Sequence, residues 1–236
     1  MTEVSLVLPA YNEAEVLKDT VLKVADAVRH LTPSFEIVIA EDGATDGTDK
    51  IAEALAQEYP FITHVHSDER LGRGKALNYA FKSAQGEVVA YIDVDLATDL
   101  THLEELIISI SEEGYDFATG SRMLKESDVE RSFTRSVTSK GFNLFTRLLL
   151  HSELKDHQCG FKSFKRDSLF DVLDDVQDTH WFWDTELLVR AQRKGYRIKE
   201  FPVRWRSGRK TKVDLKRDIL EMGSQIIRLR RELKHY

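Results

Sequence analysis

Four short apolar runs, at residues 4–8, 35–40, 61–66 and 88–92, alternate along the first hundred residues with segments whose apolar positions recur at helical spacing. The first such segment, 13–30, places Val16, Leu17, Val21, Val24, Ala25 and Val28 on one face. The next two, 49–58 and 76–84, follow loops rich in Gly, Asp and Thr, and 49–58 starts behind a capping Asp or Thr. The fourth run, V-V-A-Y-I, opens after Gly86 and ends abruptly in Asp93 and Asp95, ahead of a helical segment at 101–113. Strand and helix alternating four times without a long linker predict an α/β fold: a doubly wound, mostly parallel sheet with helices on both faces.

The second half is less regular. Residues 115–120 read as a strand closing on Ser121 and Arg122, and 131–150 as a helix, basic and then apolar through Phe142, Phe145, Leu148 and Leu149. An edge strand is expected at 160–165 and a helix at 184–194. Residues 196–205 read as a strand at an edge, or one whose pairing stops at Pro202. A last amphipathic helix spans 215–233, with Ile219, Ile226, Ile227 and Leu233 among Arg217, Arg228, Arg230, Arg231 and Lys234. The expected organisation is one domain over 1–212 with a basic helix at 213–236.

In a parallel sheet, ligands bind beyond the carboxyl ends of the strands. The residues that look chemical fall there: Pro9, Tyr11 and Glu13 after the first strand, Asp42 after the second, Arg70 to Lys75 after the third, Asp93 and Asp95 after the fourth. In extended backbone Asp93 and Asp95 leave the same face. Two carboxylates at the end of a buried strand call for a hard divalent cation, Mg2+ or Mn2+; the plainer alternative is that Asp95 or Asp99 caps the following helix. A nucleoside diphosphate fits the convergence. Asp42 would accept from a base N–H or a ribose hydroxyl, Tyr11 would flank the base, and Lys75 would help neutralise the diphosphate. There is no G-x-x-x-x-G-K-[ST] loop and no G-x-G-x-x-G after the first strand, which argues against a P-loop nucleotidase and a dinucleotide oxidoreductase.

The 236 residues carry a net charge of −6, which disfavours general nucleic-acid binding. From Glu186 onward, however, 16 Lys and Arg face 6 Asp and Glu. Phosphates of a ligand, an anionic membrane surface, or plain solvation of a basic helix would account for that tail. The single Cys159 excludes an internal disulfide or a Cys-based zinc site. No run approaches the length that crosses a bilayer, and no leader pattern opens the chain, so a cytoplasmic location is expected.

Seven segments, in this order and spacing, give a specific resemblance. They are P-A-Y-N-E at 9–13, E-D-G-A-T-D-G-T at 41–48, D-V-D at 93–95, G-S-R at 120–122, D-H-Q-C-G-F-K at 156–162, W-F-W-D-T-E-L-L at 181–188 and R-S-G-R-K-T-K at 206–212. Together they resemble the inverting family-two glycosyltransferases of the GT-A fold, and more narrowly the dolichyl-phosphate mannose and glucose synthases, archaeal-type. The resemblance implies that Pro9, Tyr11, Glu13 and Asp42 hold the nucleotide and that Asp93 and Asp95 bind Mg2+ or Mn2+ on the diphosphate. It implies Arg122, Arg135 and Ser139 for an acceptor phosphate, and Arg206 and Lys212 for phosphates from the closing side. Some relatives carry a Gln two residues after the second Asp as a further metal ligand; here Ala97 stands there, leaving more of the coordination to water.

Function follows as an expectation: transfer of one hexose, glucose or mannose, from UDP-glucose or GDP-mannose to dolichyl or polyprenyl phosphate, on the cytoplasmic membrane face. A phosphate acceptor needs no general base, because its second pKa is about 6. It must instead approach another phosphate, and each pair of unit charges about 6 Å apart repels by roughly 3 kcal/mol at an effective dielectric of 20. Arginines at 122, 131 and 135 answer that need. Asp184 occupies the place where other family members carry a base; it is either a site carboxylate or a helix cap. The main rival is transfer to a saccharide or protein hydroxyl with Asp184 as base. A non-catalytic nucleotide-binding module is the other. For Trp181, Phe182, Trp183, His157 and Cys159 the default is a packing role.

Overall fold

The computed structural model describes residues 2–207 and 215–235. Seven strands form one sheet: β1 (Val4–Ala10), β2 (Phe35–Glu41), β3 (Ile62–Val65), β4 (Val88–Ile92), β5 (Phe117–Ser121), β7 (Phe161–Lys165) and β8 (Ile198–Pro202). Their order is β3-β2-β1-β4-β7-β5-β8. All pairings are parallel except those of β7, which runs against both neighbours. Two short strands, β6 (Asp128–Glu130) and β9 (Arg204–Arg206), pair separately. The doubly wound, mostly parallel α/β sheet read from the sequence is the sheet observed.

Alternation along each strand builds two core layers. Leu6, Leu8, Ile37, Ile39, Ala90 and Ile92 face α1 (Leu17–Arg29), α2 (Thr48–Glu58) and α4 (Leu103–Ser111). Val7, Val38, Val89 and Tyr91 face α3 (Arg73–Ser83), α6 (Arg166–Leu173) and α7 (Trp183–Arg193). A third cluster joins Leu150 of α5 (Phe133–Leu150), Phe182 and Val189 to Ile226 and Leu229 of α8 (Leu215–Glu232). Arg228 of α8 also pairs with Glu186 at 2.5 Å, so the C-terminal helix is docked by both apolar and ionic contacts. No helix among the described residues is long and apolar enough to cross a membrane. The boundary expected at 212/213 lies outside the described residues.

Several elements differ from expectation. The strand at 161–165 is interior, not an edge: Phe161 enters one core layer and Phe164 the other, so both faces are covered. β8 is an edge strand, as expected of 196–205, and its pairing with β5 ends at Pro202. The helix expected from residue 13 starts at Leu17, because residues 11–16 are held in a loop with Asn12 at φ +54°. The helix expected from Ala76 starts three residues earlier, at Arg73. β4 ends at Ile92, and Asp93 begins a turn closed by the Leu96 N–H on the Asp93 carbonyl at 3.1 Å. The two carboxylates therefore share a turn rather than a strand face.

Candidate active site

Pairing of β1 with β4 stops at Val7 opposite Tyr91, while pairing of β1 with β2 continues to Ala10 opposite Glu41. The strand order reverses at the β1–β4 seam, which is where open α/β sheets part to admit a ligand. Pro9 sits just past the last β1–β4 pair, where a missing backbone donor leaves no ladder bond unmade.

The loops beyond β1 and β2 are stitched together. Asn12 Oδ1 accepts the Thr45 N–H at 2.8 Å, Thr48 Oγ1 the Glu13 N–H at 2.8 Å, and Asp46 Oδ2 the Ala14 N–H at 3.1 Å. Asp42 is buried, and its two oxygens accept the N–H groups of Leu71 (2.6 Å) and Gly72 (3.1 Å). It thus fixes the loop entering α3 before it does anything for a ligand. That loop sets the Arg70 guanidinium 4.0 Å from the centre of the Tyr11 ring. Lys75 is exposed in the first turn of α3.

Arg73, two residues earlier, is turned inward. Residues two apart on a helix lie on nearly opposite sides, so starting α3 at Arg73 aims this side chain, and not Lys75, at the seam. Its Nη2 reaches Asp93 Oδ1 at 2.7 Å and its Nη1 reaches Asp184 Oδ2 at 2.6 Å. Lys162 of β7, fully buried, meets Asp184 Oδ1 at 3.0 Å, and the Tyr91 hydroxyl donates to the same oxygen. Burial alone would raise the Asp184 carboxyl, but Lys162 and then Arg73 outweigh it and hold it below its ordinary range. Asp184 is the second residue of α7 and makes no cap bond, so the helix-cap alternative is not what the structure contains. Tyr91 and Lys162 were not singled out in the sequence, and Arg73 only as part of the stretch Arg70 to Lys75. The signal was there for Arg73, since R-G-K opens a helix after a Gly.

Asp93 and Asp95 fit a divalent cation. The Asp93 side chain is 42 % exposed with a single arginine nitrogen against it. Desolvation, then the charge of Asp93, pushes the Asp95 carboxyl above its usual value, as expected of two acids short of positive charge. Gly160 keeps the space open: a Cβ there would fall 1.7 Å from Asp93 Oδ2. The capping alternative holds for Asp99, which accepts the Thr101 N–H at 2.9 Å; Asp95 instead accepts from Ala97 N at 3.1 Å.

Of the residues expected to meet an acceptor phosphate, Arg122 is committed to a fully buried Asp156, with its Nε at 2.7 Å, Nη2 at 2.9 Å and backbone N–H at 2.9 Å from the carboxylate. Among the described residues its Nη1 has no hydrogen-bond partner. Arg131 lies beside it; burial, then repulsion from Arg122, lowers the Arg131 pKa. No carboxylate pairs with Arg131 among the described residues, so the two arginines leave an uncompensated positive spot. Ser139 is half-buried on α5, where its carbonyl accepts from Asn143. Arg206 pairs with Asp128 at 2.6 Å and Glu130 at 3.3 Å across β6 and β9. The Arg135 side chain and Lys212 lie outside the described residues. His157 and Cys159 are fully buried, as expected of packing residues; Phe182 and Trp183 are too, while Trp181 stays 37 % exposed.

Residues 5–173 match the model for "Glycosyl transferase family 2". The chain belongs to glycosyl transferase family 2. Glycosyltransferase AglD of Haloferax volcanii is 53 % identical over 96 % of this chain, which spans 36 % of AglD. Dolichyl-phosphate beta-glucosyltransferase ALG5A of Trichomonas vaginalis is 33 % identical, covering 95 % of this chain and 72 % of that relative. In three dimensions the glycosyltransferase is similar to glucosyl-3-phosphoglycerate synthase of Mycobacterium tuberculosis, solved with Mn2+, UDP and glucosyl-3-phosphoglycerate. The TM-score is 0.69 and the identity 18 %, over 95 % of this chain and 80 % of that one. The family resemblance and the GT-A fold expected from the motifs are therefore the ones found.

Proposed function

We propose that this glycosyltransferase moves a hexose, glucose before mannose, from a nucleotide-diphosphate sugar to a dolichyl or polyprenyl phosphate, with inversion. The reading rests on one observation above others. The buried carboxylate placed for a general base, Asp184, is clamped by Arg73, Lys162 and Tyr91 and held below its ordinary pKa. A hydroxyl nucleophile needs a base poised near the working pH; a phosphate brings its own negative oxygen. The relatives named as dolichyl-phosphate beta-glucosyltransferases favour the same acceptor and favour glucose.

In this reading Pro9, Tyr11, Glu13 and Asp42 line the nucleotide end, with Arg70 closing on Tyr11. Arg73, in place of the exposed Lys75 expected for this role, is the α3 cation on the diphosphate side. Asp93 and Asp95 would hold Mg2+ or Mn2+, which when bound neutralises the departing diphosphate. Arg73 pairs with Asp93 and lends positive charge to the same end of the crevice. Arg122 and Arg131, with Arg135 and Ser139 on α5 and Arg206 and Lys212 from the closing side, draw in the acceptor phosphate and offset its repulsion by the donor. An oxygen of that phosphate attacks the anomeric carbon as the diphosphate leaves. A lipid acceptor would bring the enzyme to the membrane surface, and the proposed location is its cytoplasmic face, with the basic helix α8 toward anionic headgroups.

The test is transfer of label from UDP-glucose and from GDP-mannose, in parallel, into organic-extractable lipid in the presence of dolichyl phosphate, with Mg2+ or with EDTA. Divalent-dependent transfer from one donor is expected. Asp184→Asn separates the acceptor classes: a loss of about tenfold fits a positioning carboxylate, whereas a loss of about 10²–10⁴-fold in a folded variant would make Asp184 a base and the acceptor a hydroxyl.

A further inference from the structure

A second group of ligand-type side chains lies away from the Asp93–Asp95 turn, at the free ends of β2 and β3. Register sets it up: Ile39 faces His64 and Ala40 faces Val65, so Glu41, the last residue of β2, and His66, just past β3, emerge on the face that carries His64. Oxygen of Glu41 and ring nitrogens of His64 and His66 all lie within 4.8 Å of one another.

Three features of this trio suit a bound cation. The Glu41 carboxylate is fully buried, and among the described residues its only ionic partners are the two imidazoles. A buried carboxylate without a cation is costly. His64 Nε2 is buried without a hydrogen-bond partner, 4.0 Å from Glu41 Oε2. And His66 turns its two nitrogens on two different carboxylates: Nδ1 meets Glu41 Oε2, while Nε2 lies 3.2 Å from Asp68 Oδ1. A divalent ion taking the place of the proton between Nδ1 and Glu41 would serve the same two groups.

We propose that Glu41, His64 and His66 form a second metal site, selective for a borderline divalent ion of the Zn2+ or Co2+ class. Two imidazoles and one carboxylate suit such ions, whereas Mg2+ prefers oxygen ligands alone. The supporting shell is in place: Asp68 orients His66 in the carboxylate–histidine–metal manner, and the Ala44 N–H binds the far oxygen of Glu41. Access is in place too. His66 is 46 % exposed, and a cavity of about 280 Å³ lined by Glu41, His66, Asp68, Leu71 and Tyr79 opens beside it. Water from that side completes the coordination. The ion ties the end of β2 to the end of β3, one residue from Asp42 and its grip on Leu71 and Gly72, and so stiffens the wall of the donor crevice.

The experiment uses the whole protein, stripped with EDTA and exchanged into chelator-free buffer, then titrated with Co2+ and followed by visible absorption. Thermal unfolding with and without Zn2+ runs alongside. The site predicts one Co2+ band that survives Asp95→Asn and weakens at least tenfold in His66→Gln, whose side chain is half-exposed and spares the core. His64→Gln behaves the same way. Zn2+ raises the melting temperature of the wild type and of Asp95→Asn, and leaves that of His66→Gln unchanged. A band lost in Asp95→Asn but kept in His66→Gln overturns the proposal. So does the absence of any band, which would identify His66 as an imidazolium bridging Glu41 and Asp68.

Discussion

Two arginine–aspartate pairs in this enzyme use the same groups for opposite ends. Around Asp156 every contact is closed: Arg122 delivers three hydrogen bonds, Gln158 N a fourth at 3.1 Å, and the side chain has no exposure. Asp93 receives one guanidinium nitrogen of Arg73 at 2.7 Å and keeps 42 % of its side chain open. Saturation with burial makes the first pair a structural rivet. Partial satisfaction with access leaves the second pair room for the cation proposed there. The type of bond does not distinguish the two carboxylates; unspent capacity does.

Substitution should separate the two most sharply in stability. Asp156→Asn leaves Arg122 buried beside a neutral amide, and is expected to cost about 3–5 kcal/mol in urea unfolding. Asp93→Asn should reverse the pattern, leaving the urea midpoint near that of the wild type while label transfer to lipid falls about 10²–10³-fold, or about 3–4 kcal/mol in the barrier. A midpoint shift in Asp93→Asn as large as that in Asp156→Asn would erase the distinction.

The closed region should also carry its own pH dependence. Burial lowers the pKa of His157 to about 4, between Asn143 and Ser152, from 6.5. The unfolded chain therefore takes up the proton first. This contribution to stability is complete above pH 6.5 and is lost as pH falls toward 4, amounting to about 3 kcal/mol. Urea midpoints from pH 7.5 to 4.5 should decline less in His157→Gln than in the wild type. The smallest effect is expected at the open pair. Arg73→Gln should lower transfer about tenfold, about 1.4 kcal/mol, while Mn2+ binding by calorimetry tightens a few-fold as a competing cation is removed. Weaker Mn2+ binding would mean that Arg73 shapes the ion site rather than competing for it.

The same contrast explains what could be read in the chain. The parallel half was legible because its strands are continuous apolar runs, such as V-V-A-Y-I, each ended by a turn signal. The loops at 9–13, 41–48 and 93–95 follow from strand ends that any sheet of this winding brings together. β7 was misplaced because F-K-S-F-K looks half-solvated. Only the fold reveals that Lys162 is buried against Asp184, a partner 22 residues away that no local pattern connects to it. α6 follows β7 without an intervening loop, so no break announces it. β6 has three residues, too few for a periodic signal. Arg73 was hidden by an error of one helical turn at the start of α3, enough to exchange it with Lys75 as the inward-facing cation. The commitment of Asp42 to Leu71 and Gly72, and of Arg122 to Asp156, are long-range pairings and were likewise out of reach.

The missing side chain at residue 160 reaches beyond this one protein. Because even a methyl group there would occupy the position of the Asp93 carboxylate, one letter of sequence acts as a diagnostic. A relative that keeps the D-x-D but carries a larger residue at this point would have to turn its first aspartate into another rotamer, away from the position Asp93 holds here.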